Sequence, residues 1–335
     1  MPKLALLHLA AAVAGLLRHD FQAAAWKVRS FNAESSPGDI QRNATALLHD
    51  MSGPLVHQLE DIDEATYDYG DGRLAIITST NSKYSMLTRN LYASMKRVGR
   101  DKLIVFCEDA ACKPALEGKG MHVIETGNGF AEAGAYDSPS FNFITGRKPA
   151  YVYWCLRRGD TVLWTDSDVS WMIDPVPSLT SMSQSFIAQD DSKLRGEGGV
   201  PPSAAVGARK ANTGFMWVRP TELGMTLAAS WLLQMGSLRD PKLQDQRVFQ
   251  AAFRSQCRRI CSEELGPCEP SSDCTLLSRE RCPNGSVPKW RWSKQALAYH
   301  ANWHNGISAK VEQMKQKGLW LLEPQSAKTP GVTMV

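Results

Sequence analysis

An α/β fold built on a parallel sheet flanked by helices is what the sequence predicts, on three observations. First, Leu74-Ala-Ile-Ile-Thr78 reads as a strand and Leu103-Ile-Val-Phe106 as the next. Between them Leu87, Leu91, Met95 and Val98 recur at helical spacing, and strand–helix–strand order makes parallel neighbours. Second, the apolar run Val162-Leu163-Trp164 is short and β-rich, and it stops at two carboxylates, Asp166 and Asp168. A buried strand of an open α/β sheet ends in this way where it meets the ligand crevice. Third, short strands and helices keep alternating after it: strands at 185–189 and 215–218, helices at 223–235 and from Asp245.

Composition sets the frame. The 335 residues suit one large α/β domain with appendages, and 43% apolar residues supply its core. A net charge of +4 without a block of like charge argues against a nucleic-acid binder. Eight cysteines are present, five of them from Cys257 to Cys282 without paired C-x-x-C knuckles. That crowding predicts a disulfide-rich insertion over 255–290 in an oxidising compartment. Five cysteines leave one for a partner elsewhere or for a free thiol. Cys107, Cys112 and Cys155 read as buried free thiols.

From the N-terminus, Leu4 to Leu17 is an apolar helix-forming run broken only by His8. It spans about 21 Å at 1.5 Å per residue, short of the ~30 Å hydrocarbon core. With Ala23-Ala24-Ala25 as a small-residue cleavage site, residues 1–25 read as a signal peptide or a short membrane anchor. Residues 26–71 read as a stem or linker, with a glycosylation sequon at Asn43. The catalytic domain is expected over 72–325, and 326–335 as a tail. His122-Val-Ile-Glu125 is a third strand, and Lys148 to Arg158 a helix with Pro149 in its first turn. Arg147 and Lys148 are either a solvated basic pair or a charge aimed at the crevice. Residues 195–208, rich in Gly and Pro, have the length of a lid or binding loop. Asn284-Gly-Ser286 is a second sequon.

The chemistry concentrates at Asp166 and Asp168, whose hard oxygens suit Mg²⁺ or Mn²⁺ shared with a substrate phosphate. An EF-hand is excluded, since its required Gly and acid positions hold Trp171 and Pro177. A metal phosphatase with Asp166 as nucleophile is an alternative, weakened by the mid-chain position and the lack of a suitably placed Lys. Asn81 and Asp245 each also suit a helix start.

The segment Trp164-Thr-Asp-Ser-Asp-Val-Ser-Trp-Met-Ile-Asp-Pro175 resembles the metal-binding segment of the nucleotide-diphospho-sugar transferases. Three more segments follow in that family's order: Asn212-Thr-Gly214, Asp245-Gln246, and His300 with Asn302-Trp303, Gly306 and Lys310. Together they cover roughly residues 72 to 322. The resemblance implies a GT-A fold, with a Rossmann-like, mostly parallel sheet. It implies Asp166, Asp168 and His300 as metal ligands, with His304 as rival to His300, and Mn²⁺ or Mg²⁺ as the ion. It places the nucleotide at Thr78, Asn81 and Tyr84. The diphosphate falls to Lys148, Gly306 and Lys310, while Asp166 binds the donor through the metal, Gly214 allows its close approach and Gln246 holds the donor sugar or the acceptor hydroxyl. Asp245, Asp190 and Asn212 would align donor sugar and acceptor. The implied activity is retaining transfer from a UDP-sugar to a glycan or glycoprotein in the Golgi lumen. A catalytically decayed, secreted sugar-nucleotide or glycan-binding protein is the second alternative.

Overall fold

Strands buried on both faces read as near-continuous apolar runs, and those runs form the centre of the molecule. The computed structural model describes residues 35–51, 60–69, 72–126, 139–191, 210–237, 244–263, 268–287, 289 and 292–322. The signal or anchor at 1–25, the lid at 195–208 and the tail at 326–335 lie outside the described residues.

The described chain begins with helix α1 (Pro37–Met51) and strand β1 (Tyr67–Tyr69), an antiparallel partner of β2 (Gly72–Thr80). Then come α2 (Ser85–Arg97), β3 (Ile104–Cys107), α3 (Cys112–Leu116), β4 (His122–Glu125), α4 (Pro139–Thr145) and α5 (Lys148–Arg157). Strands β5 (Asp160–Thr165) and β6 (Val169–Trp171) flank the two aspartates. They precede α6 (Val176–Thr180), β7 (Phe186–Asp190), β8 (Ala211–Val218), α7 (Glu222–Ser237) and α8 (Asp245–Gln256). The described chain closes with β9 (Ile260–Ser262), β10 (Cys274–Leu277), β11 (Ala298–His300) and α9 (Ile307–Gln316).

Among the described residues nine strands make one sheet, in the order β4-β3-β2-β5-β8-β7-β10-β9 with β1 alongside β2. All neighbours are parallel except at β1 and at β8, which runs against both β5 and β7. This is the mixed, mostly parallel α/β sheet the sequence predicts. Side chains alternate across it. Ala75, Ile77, Val162, Trp164, Met216 and Val218 face one core with α1, α5, α7 and α8. Leu74, Ile76, Leu163, Phe215 and Trp217 face the other, with α2 and α6. A third, smaller core gathers Leu87, Tyr299, Met314 and Leu319 under α9.

Three expectations change. Part of the segment read as linker is folded: α1 buries Ile40, Ala44, Leu47 and Leu48 in the first core. The disulfide-rich segment carries Cys257–Cys274 and Cys261–Cys268, and it supplies β9 and β10 to the edge of the main sheet. Cys107 and Cys112 are bonded to each other, not free, because α3 turns back onto the end of β3. Cys155 is a buried free thiol as expected, and Cys282 is the fifth, unpaired cysteine of its cluster. The Asn43 side of α1 is exposed, whereas Asn284 is fully buried, so the second sequon is not presented at the surface. No described helix is long and apolar enough to cross a membrane.

Candidate active site

The site forms where β5 ends, because a second, two-stranded sheet brings the far end of the chain to it. β11 pairs antiparallel with β6, with His300 opposite Val169. The Ala301 amide continues the ladder by donating to the Asp168 carbonyl at 3.0 Å. His300 is thereby set beside Asp168 although 132 residues separate them in the chain. One ligand atom each from Asp166, Asp168 and His300 lies within 4.8 Å of the others. His304 is not in this group. It packs over Gly285, where a Cβ would come within 2.9 Å of its ring.

Each member is held by a dedicated partner. His300 Nε2 lies 3.2 Å from Asp168 Oδ1 and 3.8 Å from Asp166 Oδ2. Its Nδ1 is 3.1 Å from Gln189 Oε1. The Gln189 amide nitrogen donates to the Cys282 carbonyl at 2.5 Å, which turns its oxygen toward the ring. Nδ1–H therefore donates to Gln189, and Nε2 is the nitrogen turned to the aspartates' side. The outer oxygen of each aspartate goes to a lysine. Lys310, in the first turn of α9, bonds Asp168 Oδ2. Lys148 lies 3.0 Å from Asp166 Oδ1, which also accepts from Trp164 Nε1 at 2.7 Å. Both inner oxygens and Nε2 then converge.

β8 makes room for this convergence. Its register against β7 shifts between Ala188 and Gln189, so the chain around Thr213 and Gly214 leaves the regular ladder. Gly214 there accepts from the Asp166 amide at 2.7 Å. A Cβ on Gly214 would stand 2.1 Å from His300 Cε1 and 2.8 Å from Asp166 Oδ2, so the approach requires glycine. The cluster is also charged to match. Burial disfavours the Asp168 carboxylate, yet Lys310 and His300 hold it well below the usual carboxylate range. Burial likewise opposes the charge on Lys148 and Lys310, and the aspartates override it in both. With Asp245 also on Lys148, three carboxylates face the two ammonium groups. Two carboxylate oxygens and one imidazole nitrogen are a donor set for Mn²⁺ or Mg²⁺, and the residues present fit such an ion.

The remaining predicted residues divide. Lys148 is buried rather than part of a solvated pair, and it also reaches Asp245 Oδ2 at 3.3 Å. Arg147 is buried too, bonded at 3.0 Å to Tyr151, which donates to Glu108 at 2.7 Å. Asp245 and Gln246 open α8 and both hold Thr213: its hydroxyl donates to Asp245 at 2.9 Å, its amide to Gln246 at 3.3 Å. Tyr84 stands by Lys310. Burial raises its phenol, and the lysine partly offsets this. Gly306 takes φ +83° just ahead of α9, opening the turn that aims Lys310. Asn81 caps the turn after β2, its side chain accepting from the Tyr84 amide at 3.1 Å.

Three further predicted residues sit within or at the ends of strands. Thr78 is fully buried inside β2, short of the strand's end. Asn212 lies within β8, not ahead of it, and its side-chain oxygen accepts from the Gly214 amide at 2.8 Å. Asp190 is fully buried and accepts from Ser262 on β9 at 2.8 Å. The next residue, Asp191, accepts instead from Gln246 at 2.9 Å and Asn284 at 3.4 Å. Asp191 follows the last residue of β7, on which Gln189 and Asp190 point to opposite faces. That parity points to Asp191 once the face of Gln189 is known.

Residues 98–314 match the family model described as nucleotide-diphospho-sugar transferase. The chain is 23% identical over 283 residues to the Arabidopsis thaliana UDP-D-xylose:L-fucose alpha-1,3-D-xylosyltransferase MGP4, covering 76% of this chain and 72% of that protein. It is 27% identical over 202 residues to beta-arabinofuranosyltransferase RAY1 of the same plant, covering 55% of this chain and 35% of that one. Among solved structures, mouse xyloside xylosyltransferase 1 aligns with a TM-score of 0.41 at 13% identity, over 68% of this chain and 97% of that one.

Proposed function

The chain belongs to the nucleotide-diphospho-sugar transferase family, and from that premise we propose a metal-dependent, retaining transfer of a sugar from a UDP-sugar to a glycan or glycoprotein. The observation that carries this reading is the convergence of Asp166, Asp168 and His300 between two lysines. Relatives named as UDP-xylose and arabinofuranose transferases make pentose donors the first to test, and the L-fucose in one name makes a fucoside the first acceptor.

Transfer breaks the bond between the anomeric carbon and the diphosphate and forms one to an acceptor hydroxyl, releasing nucleoside diphosphate and a proton. Negative charge grows on the departing diphosphate. A divalent ion held by Asp166, Asp168 and His300 would supply Lewis-acid stabilisation of that charge. Lys310, with Tyr84 beside it, adds a fixed ammonium on the Asp168 side. Lys148 lies between Asp166 and Asp245 and holds them in register. Asp245 and Gln246, on the helix start next to Thr213, orient the sugar, and positional restraint is the main gain there. The three disulfides fit an oxidising lumen, and we assign the protein to the secretory pathway, in the Golgi.

The test is a screen of UDP- and GDP-sugars with Mn²⁺ and methyl glycoside acceptors, following nucleoside diphosphate release and the anomeric configuration of the product. One donor should be consumed, and EDTA should abolish the release. Asp168→Ala should lower it by on the order of 10²–10³ or more. A folded protein that binds none of these donors would overturn the proposal.

A further inference from the structure

Beyond the metal cluster, the loop between β11 and α9 holds an aromatic side chain in an unusual state. Trp303 is 62% exposed, the most open of the large exposed hydrophobic residues among those described. Its φ is +68°, the single positive value for a non-glycine residue among those described. A bulky residue pays for that conformation and keeps it only where its surroundings fix it. They do so here. Ala301 is bonded to Asp168, and the Asn302 side chain accepts from the Gly285 amide at 3.3 Å. Gly285 lies so close beneath the loop that a Cβ would be 2.1 Å from the Asn302 carbonyl. The same Asn284-Gly285 turn ties the loop to Asp191, whose carboxylate accepts from the Asn284 side chain at 3.4 Å.

We infer that Trp303 and Asp191 form a saccharide subsite, in which the acceptor's sugar ring stacks on the indole while its hydroxyls donate to the carboxylate. This rests on the glycosyltransferase reading of the adjacent cluster. An indole face with a carboxylate at its edge matches a pyranose, which offers an apolar C–H face and a rim of hydroxyl donors. The subsite is joined to the cluster through one chain of contacts. Asp191 is bonded to Gln246, Gln246 accepts from Thr213, and Thr213 donates to Asp245, which faces Lys148. Lys310 and Tyr84 lie on the Asp168 side. Asp166, Asp168 and His300, which would hold the ion and with it the donor's diphosphate, are largely buried. The solvent-facing Trp303 therefore meets the second sugar, the one that arrives from outside.

Two variants test this, each assayed with the full chain, Mn²⁺ and the best donor of the screen. Trp303→Gly relaxes the positive φ, so it should melt no lower than the native chain. Its ratio of transfer to donor hydrolysis should fall at least tenfold, with a matching rise in the KM for methyl glycosides. Trp303→Phe keeps an aromatic face and should restore most of that ratio. Saturation-transfer NMR with the methyl glycosides gives a second readout that needs no turnover: signal on the ring protons of a bound pyranoside should be present in the native chain and lost in Trp303→Gly. If transfer and hydrolysis fall together, or if the ratio stays at the native value, the subsite is overturned. If no donor is turned over by the native chain, the transferase reading fails, and the NMR comparison alone decides whether Trp303 binds saccharide.

Discussion

At the scale of single residues, the cluster depends on side chains that never touch the reacting atoms. Gln189 is fully buried, and both ends of its amide are committed, one to His300 and one to Cys282. It fixes which imidazole nitrogen is free to bind an ion. Gln189→Met, of similar size, removes the acceptor for Nδ1–H. Losing such an outer partner typically costs about 10–100-fold in metal affinity, so Mn²⁺ titration by electron paramagnetic resonance should show a loss in that range. Native affinity in the variant would remove Gln189 from this role. Sequence reasoning found Asp166, Asp168 and His300 because their types and order carry the chemistry. It could not find Gln189 or Asp191, whose roles depend on strand parity beside a bulge. It chose Asp190, one residue from Asp191 and on the face opposite Gln189.

At the scale of elements, the two small strands matter more than their length suggests. β6 and β11 span three residues each, yet their pairing is what joins the metal segment to the C-terminal His and Lys. That pairing was not legible in the sequence, since pairing over such a distance leaves no local pattern. The long parallel strands were legible from apolar runs alone, because both faces are covered. The cysteines show the same division: their density predicted disulfides, while the Cys107–Cys112 bond depends on how α3 folds back. Three bonds close loops of 5, 7 and 17 residues, and the longest restrains the unfolded chain by about 3 kcal/mol in the loop-entropy account. Cys155 and Cys282 are fully buried, and burial raises both thiols far above their ordinary range. Iodoacetamide at pH 8 should therefore leave the native protein unlabelled and modify two thiols per chain in guanidinium without reductant. Labelling of four or more under those denaturing conditions would show that the pairing is incomplete.

At the scale of the whole molecule, the question is where the folded unit begins. The first motif-bearing strand starts near residue 72, and a linker ahead of it was the natural reading of a stretch with Pro37-Gly38 and many polar residues. The apolar positions Ile40, Ala44, Leu47 and Leu48 nevertheless follow helical spacing, a signal that was present and diluted by its surroundings. α1 uses that stripe to pack on α7, and it is tied to the body by polar bonds as well. Gln41 donates to Thr226 at 3.1 Å, and the Tyr153 hydroxyl donates to the Gln41 carbonyl at 2.9 Å. Leu47 is 2% exposed and sits over Gly236, where a Cβ would be 2.7 Å from its Cδ2. Fully burying a Leu or Ile contributes roughly 1.5–3 kcal/mol, so three of them rival the ~5–15 kcal/mol that holds a domain folded. Leu47→Ala should cost about 2–5 kcal/mol and lower the melting temperature by several degrees. A chain starting at residue 72 should lose its cooperative melt or precipitate, whereas one starting at residue 35 should melt with the full-length protein. Should residues 72–335 melt at the full-length temperature, α1 is a dispensable stem after all, and its packing contributes nothing to the fold that carries the site.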